Sequence, residues 1–179
     1  MEISRVGVND KNKIRKIRDH CHNVCRKEID QTWINECLSE FDYCYICSYE
    51  NEIKGIITFQ VNKCVEVTLL CTNIKLKGLG RELLNLAIDY ANNKKLECQL
   101  NSVPKARGFY LKCGFLKCKI DINKSPPENS IPMYFPFTWL YGLSDEASIF
   151  VNKKKAYNDY IEDCIENNLI PSTFEIFSR

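Results

Sequence analysis

The residues best placed for chemistry lie between positions 71 and 84, in CTNIKLKGLGRELL. Gly78 and Gly80 stand one residue apart, Lys75, Lys77 and Arg81 surround them, and an apolar-periodic stretch follows. A loop that ends a strand and opens a helix leaves the first helical N–H groups without intrahelical partners, and the aligned peptide dipoles put partial positive charge there. Such a helix end holds phosphate, and glycine lets an anion approach the backbone. The same residues also suit a tight strand-to-helix turn with exposed lysines. A dinucleotide fingerprint is excluded, because G-x-G-x-x-G would need glycine where Leu83 stands, and a P-loop is excluded because no G-K-[ST] follows.

The other reactive side chains are 11 cysteines and 2 histidines. Cys44 and Cys47 form a C-x-x-C inside DYCYICSYE, an aromatic and β-branched run that reads as a strand, where an odd offset sends the two sulfurs to opposite faces. Cys21 and Cys25 lie four apart on a helix and face one way, with His20 and His22 as neighbours. A closed zinc site takes four ligands, and no second pair with suitable spacing follows, so no metal is expected. The odd count and the lack of a secretory leader at MEISRVGVNDKNKIRK point to cysteines that are mostly reduced and buried in a cytoplasmic protein.

Elements must position these groups. MEISRVGV starts as a strand on Ile3 and Val6, and from Asp10 the residues Ile14, Ile17, Cys21, Val24 and Cys25 make one helical stripe. Asp30 reads as the N-cap of a second helix carrying Trp33, Ile34, Cys37 and Leu38. YCYICSYE, KGIITFQV and KCVEVTLLCT are three strands of an antiparallel meander, the last running into the glycine loop. A helix from about Gly80 to Asn93 then places Leu83, Leu84, Ala87, Ile88 and Ala91 on one face. LECQLNS is a strand, VPKARGFYLKC a short helix opened by Pro104, and FLKCKID a strand. IPMYFPF is a last strand, which Pro132 and Pro136 assign to an edge or an irregular position. Beyond residue 138, Ser144 caps a final helix. The chain of 179 residues is 45% hydrophobic and 27% charged, the pattern of one ordinary globular core, and a net charge of +2 suggests neither nucleic acid nor an anionic membrane as partner.

About thirty residues past the loop, VPKARGFYLKCGF supplies Ala106, Phe109, Tyr110, Gly114 and Phe115. With EVTLL before the loop and K-x-x-G-x-G inside it, this closely resembles the GNAT acetyltransferase superfamily, whose two motifs are [RQ]-x-x-G-x-[GA] and A-x-x-[FL]-Y-x-x-x-G-F. Lys75 replaces the usual Arg or Gln and keeps a donor. The element order agrees over residues 1–137, so the resemblance implies an α/β fold with a mixed, mostly antiparallel sheet flanked by helices. Residues 138–179 then form a helical extension that docks on this domain or on a partner.

The resemblance implies acetyl-CoA as donor. Its pyrophosphate would rest on the backbone of Leu76, Lys77, Gly78, Leu79, Gly80 and Arg81, near Lys75, and its pantetheine arm would pair with Leu70, Cys71 and Thr72 opposite Asn101. An amine would attack the thioester directly, with Tyr110 as the acid for the leaving thiolate, since a phenol of pKa about 10 matches that thiolate's basicity. Glu66 would be the base, or a water chain would serve instead. Two-residue periodicity puts Glu66, Thr68 and Leu70 on one face. Many family members carry Asn where Val103 stands, and Asn101 is the nearest replacement. Acceptor choice would rest on Arg26 to Asp42, rich in acidic residues, and on Ile122 to Ser130. Three functions fit: an N-acetyltransferase for a small-molecule or peptide amine, a non-catalytic acyl-CoA-binding module, and a longer-chain acyltransferase. The protein would be a monomer or a homodimer.

Overall fold

The computed structural model describes residues 1–25, 29–73, 76–117 and 130–135, together with Asn158 and Ile161. The chain divides into two compact units, Met1–Cys98 and Gln99–Arg179.

The first unit is built on four antiparallel strands, β1 (Glu2–Val6), β2 (Tyr43–Tyr49), β3 (Glu52–Val61) and β4 (Val65–Thr72), paired in that order. Glu50 and Asn51 close the β2–β3 hairpin with φ of 52° and 62°, the positive pair that a two-residue turn needs to match strand twist. Helix α1 (Lys11–Cys25) begins where the Asp10 carboxylate accepts the Lys13 N–H at 3.0 Å, and it buries Ile17 and Cys21. Val24, expected on the same stripe, remains 37% exposed, so the buried face is narrower than its spacing suggests. Asp30 caps α2 (Gln31–Ser39) by accepting the Thr32 N–H, and α2 buries Ile34, Cys37 and Leu38. Both helices pack with Cys44, Ile56, Leu69 and Cys71 on one face of the sheet.

Helix α3 (Leu79–Lys94) covers the opposite face and buries Leu79, Leu83, Leu84, Ala87, Ile88 and Ala91. It comes closest at Gly55, where an added Cβ would lie 2.9 Å from Leu83 Cδ1 and 3.1 Å from Leu79 Cδ2. Successive strand residues point to opposite faces, so Gly55 under α3 and Ile56 under α1 and α2 show that both faces are covered.

The second unit carries most of β5 (Cys98–Ser102), a 3₁₀ turn at Pro104–Ala106, α4 (Arg107–Lys112), β6 (Leu116–Lys117) and β7 (Ile131–Phe135). These strands lie in the order β5-β7-β6, with Leu116 opposite Tyr134 and Lys117 opposite Met133. The expected edge position of the last strand is therefore corrected: β7 is flanked on both sides. The described helices and strands follow in the order read from the sequence, and the α/β fold class stands. No described helix is long and apolar enough to cross a membrane. The extension over residues 138–179 and its Ser144 helix lie outside the described residues, apart from Asn158 and Ile161.

Candidate functional site

Strand β4 carries Glu66 and Leu70–Thr72, and its burial alternates perfectly, with Val65, Val67, Leu69 and Cys71 buried and the residues between them half-buried. That alternation conceals a bulge. Thr58 lies opposite Leu69 and Phe59 opposite Val67, so Thr68 is an extra residue with no counterpart on β3. Cross-strand partners share a face, and the bulge therefore reverses which face the strand's parity selects. Before it, Glu66 lies opposite Gln60, whose side-chain amide donates to the Glu40 carbonyl at the end of α2. Beyond it, Cys71 faces α1, bonded to Cys25, while the Thr72 methyl sits beside Gly55 and the α3 leucines.

The expectation that Glu66, Thr68 and Leu70 share one face is thus corrected. Glu66 and Thr68 look toward α2, and Leu70 and Thr72 look toward α3. Burial still alternates because helices cover both faces. Glu66 Oε1 is buried with no hydrogen-bond partner among the described residues, and desolvation raises its carboxyl above the usual glutamate value. A half-buried carboxylate with its proton affinity raised in this way suits general-base work nearer neutral pH.

The glycine loop leaves β4 at Asn73, whose N–H donates to the Lys54 carbonyl at 2.9 Å, and turns where the Leu76 N–H reaches the Asn73 carbonyl at 3.0 Å. Gly78 has φ +88° and is the N-cap of α3 without any side-chain capping bond. The first intrahelical bond runs from the Glu82 N–H to the Gly78 carbonyl at 3.0 Å, while in the preceding turn the Leu79 N–H donates to the Leu76 carbonyl at 3.4 Å. Lys77 and Gly78 are exposed, Leu76, Gly80 and Arg81 are half-buried, and Leu79 anchors the turn at 1% exposure. Lys75 lies outside the described residues. A helix N-terminus capped by no side chain is of the kind that can take an anion.

In the second unit, Asn101 sits on β5 with both its Oδ1 and its Nδ2 buried and without a hydrogen-bond partner among the described residues. Buried amides are normally paired, so these two atoms fit a ligand's peptide-like groups. Val103 follows as the N-cap of the 3₁₀ turn and offers no side-chain bond. Tyr110 lies on α4 at 7% exposure, its ring 5.1 Å from Phe109 and edge-on to Phe115 at 5.8 Å. Phe115 in turn meets Phe135 at 5.4 Å, and the Phe115 N–H donates to the Tyr110 carbonyl at 3.1 Å. The A-x-x-F-Y-x-x-x-G-F pattern thus locks the tyrosine by packing on either side.

Among the described cysteines one pair is oxidised rather than reduced: Cys25 and Cys71 form a disulfide, with Cα atoms 6.5 Å apart. No spacing in the sequence identifies this pair, which the fold brings together across 46 residues. With Cys25 consumed, the Cys21/Cys25 pair offers no chelate, and the described residues contain no group of three or more potential ligands for a metal ion. Cys44 packs with Cys21 in the core under α1 and α2, while burial, helped by the Glu82 carboxylate of α3, raises the Cys47 thiol, in keeping with opposite faces of β2. Burial pushes Cys21, Cys37 and Cys44 up to about 12, which keeps them as neutral thiols. Of the acidic residues near the expected acceptor region, Asp30 is a helix cap and Asp42 accepts the Val61 N–H at 2.7 Å, so both have structural work. Residues 26–28 and 122–129 of that region lie outside the described set. Sequence reasoning missed the Thr68 bulge and the contacts that Trp33 and Cys37 make with it, although their i,i+4 spacing on one helix face was visible.

The acetyltransferase (GNAT) domain model matches residues 9–125. A search of curated proteins finds no match. Among solved structures, Tetrahymena GCN5 superposes with a TM-score of 0.61 at 14% identity, covering 76% of this chain and 97% of that one. An acetyltransferase from Streptococcus agalactiae 2603 gives 0.59 at 20% identity, covering 74% and 95%. The PaiA N-acetyltransferase from Thermoplasma acidophilum, solved with coenzyme A, gives 0.55 at 17% identity, covering 76% and 100%. At these identities the likeness is one of fold.

Proposed function

Because the chain belongs to the GNAT acetyltransferase family, whose model spans 117 residues from 9 to 125, we propose that it is an acetyl-CoA-dependent N-acetyltransferase acting on a primary amine of a small molecule or peptide. The observation that carries the reading is the α3 N-terminus, where left-handed Gly78 caps the helix without a side chain, a form of helix end that suits a pyrophosphate. Leu76 to Arg81 would hold that group, with Lys75 adding charge, while the backbone of Leu70, Cys71 and Thr72 would pair with the pantetheine arm. The orphaned amide of Asn101 takes the role that Val103 cannot fill. Acetyl-CoA supplies an acyl thioester when bound.

In this reading Glu66 accepts the proton of the incoming ammonium, directly or through water, and its desolvated carboxyl is suited to that task. Tyr110 would donate its phenolic proton to the departing sulfur and regain one from the proton that the acylated nitrogen sheds, and the flanking rings of Phe109 and Phe115 hold its direction. The catalytic domain is residues 1–137, residues 138–179 are an appended element, and the protein works in the cytoplasm as a monomer or homodimer.

The test is release of free CoA thiol from acetyl-CoA in the presence of amines, polyamines, amino acids, aminoglycosides and peptides. One amine class should support release, and Tyr110→Phe should lower kcat by roughly 10²–10⁴-fold with coenzyme binding retained. Coenzyme binding without release for any amine would favour the non-catalytic module. Absence of binding would refute the reading of the helix end.

A further inference from the structure

Helix α2 holds the β4 bulge from outside the sheet. The extra residue Thr68 turns its carbonyl out of the β3–β4 ladder, and two donors from α2 converge on it: the Trp33 Nε1–H at 3.3 Å and the Cys37 thiol, also at 3.3 Å. Trp33 and Cys37 are one helical turn apart and so present both donors on a single face. Burial raises the Cys37 thiol to about 12, which keeps the proton on sulfur and preserves it as a donor. A third contact completes the arrangement, since Thr58 Oγ1 and Thr68 Oγ1 lie 2.7 Å apart.

A trans peptide is planar, so fixing the Thr68 carbonyl also fixes the Leu69 N–H on the opposite side of the same plane. The turn of that plane is what reverses the parity of the strand. It lets β4 present Glu66 toward α2 while Leu70 and Thr72 look toward α3. Without the bulge the carboxylate and those residues would share a face.

We propose that Trp33 and Cys37 are positioning residues, whose paired hydrogen bonds to the Thr68 carbonyl set the 68–69 peptide and thereby aim Glu66 relative to the Leu70–Thr72 backbone. The inference rests on the acetyltransferase reading of Glu66 and of that backbone. Neither residue need touch a substrate. Helix α2 lies within the region expected to choose the acceptor, so this link also ties that region to the base.

The test compares Trp33→Phe, Cys37→Ala, Cys37→Ser and the Trp33→Phe/Cys37→Ala double variant with the unaltered protein. Phenylalanine keeps a ring and removes the donor, and serine keeps a donor at position 37 that alanine lacks. The double variant should lose roughly 10- to 100-fold in kcat, the scale of a small misplacement at a reacting centre. KM for acetyl-CoA should move by less than about threefold, since binding and chemistry are separated in that comparison. Cys37→Ser should recover most of the kcat lost in Cys37→Ala, although serine fits the apolar surroundings less well and lowers Tm further. If kcat instead follows Tm, with alanine equal or superior to serine, the two side chains merely pack and the proposal fails. A readout without turnover separates this from failure of the enzymatic reading: the Leu69 amide resonance should shift in the double variant and stay near its original position in Cys37→Ser. An unmoved Leu69 amide in the double variant overturns the proposal whether or not any amine is acetylated.

Discussion

Replacing Gly55 with alanine tests whether the distance between α3 and the sheet sets the geometry of the anion loop. A methyl group there would lie 2.9 Å from Leu83 Cδ1, 3.1 Å from Leu79 Cδ2 and 3.1 Å from Thr72 Cγ2. Leu79 is the first residue of α3 and Thr72 the last of β4, so two of the three clashing groups border the loop between them. The leucine tips are flexible in principle, but Leu83 is 0% and Leu79 1% exposed, so neither has an empty space to enter. Overfilling a packed site costs about 1–3 kcal/mol. Alanine recovers about 0.5–1 kcal/mol of that through the lower entropy of the unfolded chain. The net loss is about 0–2.5 kcal/mol, centred near 1, which for a chain of this size corresponds to up to roughly 10 °C in Tm.

Relief requires the first turn of α3 to back away from β3, and that movement opposes the closed loop. Coenzyme A affinity should therefore fall, up to the tenfold that about 1.4 kcal/mol represents. Thermal unfolding and calorimetric titration with coenzyme A read the two effects separately. Leu83→Val in the Gly55→Ala background makes room for the new methyl and should restore part of both, a coupling that a double-mutant cycle measures. An unchanged Tm would show that the close approach is not sterically limiting. A lowered Tm with unchanged affinity would refute the link between helix distance and loop geometry.

Gly78→Ala meets no atom within 4 Å, so its effect is conformational: at φ +88° a side chain costs about 1–2 kcal/mol, and urea unfolding should register that loss alongside weaker coenzyme A binding. Glu66 has its folded pKa raised, so the fold prefers the neutral acid, and stability is lost as pH rises from the unfolded value through the folded one. Glu66→Gln removes that loss and should be at least as stable at neutral pH, while the acidic limb of kcat/KM, displaced above the ordinary glutamate range, disappears together with most activity. Reduction of Cys25–Cys71, or Cys25→Ser with Cys71→Ser, releases a cross-link spanning 46 residues, for which the chain-entropy account gives about 4 kcal/mol. A clear fall in Tm with dithiothreitol that is absent in the double serine variant is the expected result.

Much of the fold was legible because each element was specified by its own residues. The repeat of Leu83, Leu84, Ala87, Ile88 and Ala91 marks α3, Asp30 marks the start of α2, and the break at Glu50 and Asn51 marks a hairpin. The glycine loop was legible for the same reason, since a left-handed N-cap is a local demand met by a local residue. The position of β7 was not, because proline removes one donor from a strand but does not say which strands flank the rest of its segment.

By itself, then, the sequence determined the order of helices and strands, the glycine turn that opens α3, and the aromatic framework around Tyr110. These depend on contacts within a few residues, where propensity, capping and periodicity act directly. Tertiary structure alone decided that Glu66 and Leu70 look to opposite sides of β4, that Cys25 meets Cys71, and that Trp33 and Cys37 hold Thr68. Each of those depends on a register between segments far apart in the chain. One inserted residue in an antiparallel pair changes that register without altering the apolar alternation that a reader of the sequence can see.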